Sequence, residues 1–71
     1  DLAEYIMLRL RLKEGLKLSD LAKKYGTETL DSIRLKAIHL KEQGLVEFNG
    51  DQISLTEKGF LLSNSIINEF I

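Results

Sequence analysis

The chain has 71 residues, of which 44% are apolar and 30% charged, with 10 basic and 11 acidic side chains and a formal charge of −1. It has no cysteine, so disulfides, thiolate nucleophiles and thiolate metal sites are excluded. The near-zero charge gives no long-range pull on nucleic acid or an anionic membrane, and no apolar run approaches the ~18 residues of a membrane span.

The first predicted element is a helix from residue 2 to about residue 12. Ala3, Ile6, Met7 and Leu10 share one face at helical spacing, and Asp1 and Glu4 sit at its positive end. Gly15 is expected to stop it. Lys17-Leu18 reads as a short extended piece, followed by Ser19 as N-cap of a second helix with Asp20 in its first turn. Leu21, Ala22 and Tyr25 form its apolar side, and Gly26 ends it. Thr27 or Thr29 is expected to cap a third helix reaching about Gln43. Leu30, Ile33, Ala37 and Leu40 make its stripe, and Leu35 and Ile38 widen it. Gly44 fits the left-handed position beyond its end.

Two short β-prone segments follow, Leu45–Phe48 and Gln52–Leu55, joined through Asn49-Gly50 with Asp51 flanking. That dipeptide is a strong hairpin signal, and so small a hairpin must rest on helices. Thr56 then caps a last helix. Its apolar positions, Phe60, Leu61, Leu62, Ile66, Ile67, Phe70 and Ile71, exceed one narrow stripe. A helix apolar over so wide an arc needs cover on more than one side. Something beyond the third helix, a neighbour outside this domain, is therefore expected to cover Phe60, Leu61, Ile66, Ile67 and Phe70. The whole reads as mainly α with a small β-hairpin, in the helix-helix-helix-hairpin-helix order of a winged helix.

Residue patterns that carry chemistry are few. His39 is the sole histidine, without the partners of a metal cluster or a nucleophilic triad, and reads as a packing or surface residue. Glycines 15, 26, 44, 50 and 59 are too dispersed for a phosphate loop. Arg9 and Arg11 are solvated helical arginines or carboxylate binders, and their spacing puts them on different sides of a helix. A DNA-reading third helix would carry acids at Glu28 and Asp31, where a recognition helix meets phosphates, and the wing tip has no basic residue. Nucleic acid is therefore not the expected partner. A regulator's DNA-binding domain and a bare protein-interaction module remain the alternatives.

Three stretches together resemble a known family. They are Glu4 through Gly15 (EYIMLRLRLKEG), Leu40 through Glu47 (LKEQGLVE), and Ile53 through Ile67 (ISLTEKGFLLSNSII). Their order and spacing are similar to the C-terminal domain of oxygen-independent coproporphyrinogen III oxidase and its relative, the haem chaperone HemW. The resemblance implies a single accessory domain over residues 1–71, cut from a longer radical S-adenosylmethionine protein, in keeping with the absence of an initiator methionine. It implies that the parent's barrel binds S-adenosylmethionine and a 4Fe-4S cluster held by three cysteines, and handles a porphyrin or haem. This cysteine-free chain would bind none of those cofactors and catalyse nothing alone. It implies also that Arg9 and Arg11, in the LRLRL segment, lie near a porphyrin or the domain junction. The expected location is cytoplasmic, in keeping with the lack of cysteine.

Overall fold

The computed structural model describes residues 2–70, so the contributions expected of Asp1 and Ile71 lie outside the described residues. The elements are α1 (Leu2–Leu10), β1 (Leu16–Lys17), α2 (Leu18–Tyr25), α3 (Leu30–Glu42), β2 (Val46–Phe48), β3 (Gln52–Leu55), α4 (Glu57–Leu61) and α5 (Ser63–Phe70). The fold is mainly helical with a small sheet, as the periodicities require. Its sheet nevertheless has three strands, in the order β1-β3-β2, all antiparallel. Leu16 pairs with Ile53, and Ile53 also faces Phe48. The short extended piece expected at Lys17-Leu18 lies one residue earlier, at Leu16–Lys17, and joins the hairpin as a third strand; two residues have no periodicity that would show the pairing. Directly opposed residues share a face, so Leu16, Val46, Phe48, Ile53 and Leu55 turn toward the helices while Glu47 and Ser54 turn away.

The first helix ends at Leu10 rather than near residue 12. Beyond it the chain tightens through Leu12 N–H to Arg9 C=O and Gly15 N–H to Leu12 C=O. Gly15 has φ +73°, and a Cβ built there would lie 2.2 Å from the Ile53 carbonyl oxygen. Only glycine lets the chain come close enough to lay Leu16 against β3.

The cap of α2 differs from expectation. The helix opens at Leu18, not after Ser19, because Leu18 and Leu21 are both buried one turn apart. Ser19 thus falls inside the first turn, and a hairpin residue supplies the cap. The Asp51 carbonyl accepts the Leu18 N–H at 2.8 Å, and its carboxylate accepts the Ser19 N–H at 3.0 Å. Neither Thr27 nor Thr29 caps α3 with its side chain. Thr29 makes no side-chain cap bond, and its hydroxyl is buried without a partner. The other end of α3 follows the expected glycine signal. Gly44 N–H reaches Lys41 C=O at 2.9 Å and Leu45 N–H reaches Leu40 C=O at 3.0 Å, the paired bonds of a left-handed helix stop.

The hairpin turn sits one residue later than Asn49-Gly50 suggests. The register puts Gly50 and Asp51 at the centre, with Gly50 at φ +103° in the first central position. Asn49 flanks the turn instead, its side-chain oxygen accepting the N–H groups of Asp51 and Gln52 at 3.0 and 2.8 Å.

The core consists of Ile6, Leu10, Leu16, Leu18, Leu21, Ile33, Ala37, Leu40, Leu45, Val46, Ile53, Ile66, Ile67 and Phe70. Tyr5 packs on Tyr25 with ring centroids 5.5 Å apart, and the Lys24 ammonium lies 5.2 Å from the Tyr5 centroid. These contacts tie the end of α2 to α1. Among the described residues, no polar or charged residue is fully buried, so the core is apolar throughout and the polar contacts that fix the arrangement lie at its edges.

Candidate interdomain surface

The expected single last helix is two. Leu62, at φ −110° and ψ 24°, breaks it into α4 and α5. Each half is anchored differently. Thr56 caps α4, accepting the Gly59 N–H at 3.0 Å while its hydroxyl faces the carbonyls of Gly44 and Leu45 at 2.8 and 3.1 Å. Gly59 presses flat on that same strand lead-in, so that an added Cβ would lie 1.8 Å from the Leu45 carbonyl oxygen. The second half, α5, packs on α1 and α3.

This break divides the residues expected to face another domain. Ile66, Ile67 and Phe70 are buried in the chain's own core. Their apolar surface is already covered by α1 and α3, which corrects the expectation of one continuous unsatisfied face. Phe60 and Leu61 are not covered: they stand 54% and 84% exposed, with Leu62 beside them at 46%. With Gly59 against Leu45, the next two side chains of α4 are left on the outside.

The two arginines also part. Arg9 is half-buried, and its Nε is enclosed without a hydrogen-bond partner. Arg11 lies just past the helix end and is exposed, with Nη2 donating to Asn64 Oδ1 at 3.0 Å. The structure thus does not join them into one clamp. It brings Arg11 instead to Phe60: Leu10, Arg11, Leu12, Lys13, Ser54, Leu55 and Phe60 line one groove of ≈ 330 Å³. Leu12, 45% exposed, and Phe60, 54% exposed, are among its apolar lining residues.

Sequence reasoning missed Lys13, Leu55 and Asn64 as neighbours of Arg11. The period-two run of leucines in the LRLRL segment was the available signal for Leu12, whereas Asn64 carried none. His39 is exposed, and its Nε2 lies 3.2 Å from the Gln43 side-chain amide. The outer face of α3 carries the exposed Leu35 and Ile38, while Arg34 is paired to Asp31 at 3.3 Å. No group of three or more histidine, aspartate or glutamate side chains among the described residues could hold a metal ion. No described helix is long and apolar enough to cross a membrane.

No curated protein and no solved structure shows significant similarity to the chain. The model of the HemN C-terminal domain family matches residues 1–62, ending at Leu62, the residue that separates α4 from α5. A match over so much of the sequence, carried through every element from α1 to α4, decides the family: this chain belongs to the HemN C-terminal domain family.

Proposed function

We propose that this domain is the non-catalytic C-terminal domain of an oxygen-independent coproporphyrinogen III oxidase-like protein. It packs on the parent's radical S-adenosylmethionine barrel and helps to shape the porphyrin or haem site. Family membership supports the parentage. The observation that supports docking is the exposure of Phe60 in one groove with Leu12, and of Leu61 and Leu62 next to it in the chain, while Ile66, Ile67 and Phe70 of α5 are enclosed within the domain. Adjacent exposed apolar side chains with a cationic border are the anatomy of an interface.

The chain holds no cysteine. The three-cysteine set for a 4Fe-4S cluster therefore does not fit here, and no reaction step is assigned to these residues. Their part is to cover and position. Arg11, exposed and already oriented by Asn64, is the better placed of the two arginines to reach a carboxylate on the barrel or a porphyrin propionate. Arg9, half-buried, serves best as a contact made at the junction itself.

The test uses the full-length protein. Leu12→Asp and Phe60→Asp are expected to expose the domain junction to protease and to weaken porphyrin or haem binding. Arg11→Ala is expected to lower that affinity more than Arg9→Ala does. Unchanged protection and unchanged affinity in all four variants would overturn the docking reading.

A further inference from the structure

Apolar surface reaches solvent in more than one groove, and the charges around each differ. The groove beside α3, ≈ 310 Å³, is lined by Leu35, Lys36, His39 and Glu69, so it carries both signs. The crevice at Leu62 carries Glu69 alone among charged residues. The groove at the end of α1 carries Arg11 and Lys13 and no acid. Glu14 and Glu57, the nearest acids in sequence, do not line it.

From this asymmetry we infer that the α1-end groove takes an acidic segment of the parent's catalytic domain. One carboxylate of that segment meets Arg11 and Lys13, and an apolar neighbour lies against Leu12 and Phe60. This rests on the docking reading and adds the chemistry of the partner. The hydrogen bond from Arg11 goes to Asn64, a neutral amide that orients the guanidinium without cancelling its charge. A guanidinium has five donors in a planar fork, and a carboxylate fills a free edge through two of them. Among the described residues, no carboxylate is within ion-pair distance of Arg11 or Lys13.

Charge complementarity selects the occupant. A purely apolar segment pressed on Phe60 would strip water from two cations and leave them unpaired, which is unfavourable. A bare phosphate would satisfy the cations but leave Leu12 and Phe60 in water. A segment bearing both an acid and an apolar side chain satisfies both halves of the groove. The volume suits a few side chains rather than a whole helix.

Zero-length carbodiimide coupling of the full-length protein, followed by peptide mapping, tests this. The expected product joins the Lys13 amine to an aspartate or glutamate of the catalytic domain. Arg11→Glu with Lys13→Glu should lower the docked fraction, read as protease protection of the junction, by about tenfold. Lys13→Arg should keep it. The exposed positions allow each variant to fold, which a thermal melt verifies. If charge reversal changes nothing while Phe60→Asp frees the domain, docking stands and the acidic partner is wrong. If neither variant frees it, the docking reading fails and the inference with it. If Lys13 couples only to a second copy, shown by mixing isotope-labelled protein, the occupant is another copy and the inference is overturned.

Discussion

The Asp51 carboxylate caps a helix 32 positions earlier in the chain, accepting the Ser19 N–H at 3.0 Å. The first amides of a helix have no partner within it, and α2 begins directly from a strand with Lys17 at its N-cap, which supplies no side-chain acceptor. The hairpin turn fills the gap. The sheet and the second helix are thereby locked in one register, because Asp51 can reach Ser19 only when β1 is paired to β3. Asp51→Ala should destabilise the domain by about 1 kcal/mol, the usual worth of a helix cap. Ser19→Ala, which removes only a hydroxyl 3.4 Å from the same carboxylate, should cost less. Urea titration of both variants measures the difference.

Thr56 holds three backbone groups near one hydroxyl: it accepts from Gly59 N–H and faces the carbonyls of Gly44 and Leu45. Valine preserves the shape and removes all of these bonds. Thr56→Val should therefore lose about 1–2 kcal/mol, combining a lost cap with unsatisfied part-buried backbone. Thr56→Ser should retain most of the stability. Amide exchange at Gly59 should quicken in the valine variant and not in the serine one.

Gly59 sets propensity against packing. It lies within α4, and a glycine-to-alanine change in a helix ordinarily gains about 1 kcal/mol. Here the new methyl would lie 1.8 Å from the Leu45 carbonyl oxygen, so α4 must move off the wing. Gly59→Ala should lower the melting temperature by several degrees, about 4–8 °C for each kcal/mol lost in a domain of this size. A rise in melting temperature would show that the close approach is not enforced.

The last helix supplies the sharpest contrast between neighbours in sequence. Ending the chain at Leu62 removes Ile66, Ile67 and Phe70 and uncovers the faces of α1 and α3 beneath them. The truncated chain should lose its cooperative thermal transition and bind hydrophobic dye. With residues 63–71 retained, Ile66→Ala should cost about 2–5 kcal/mol. Leu61→Ala, at an 84% exposed position, should stay within about 0.5 kcal/mol.

Residue pattern by itself determined the helical faces and the stop after α3. Ile6 and Leu10, Ile33, Ala37 and Leu40 are buried where 3.6-residue spacing places them, and Gly44 closes α3 through bonds local to its own turn. The same holds for Thr56, whose capping partner Gly59 lies three residues away. Local physics is legible because the interacting groups are neighbours in the chain. The tertiary structure alone decided what depends on distant partners. Asp51 replaces Ser19 as the cap because β3 carries it there, and Leu16–Lys17 become a strand only because β3 offers an edge. The last helix breaks at Leu62 because its two halves answer to different surfaces, the wing for Gly59 and the α1–α3 groove for Ile66, Ile67 and Phe70. Its wide apolar arc was visible in the sequence. Only packing could tell that three of those side chains close this domain's own core while Phe60 and Leu61 face outward.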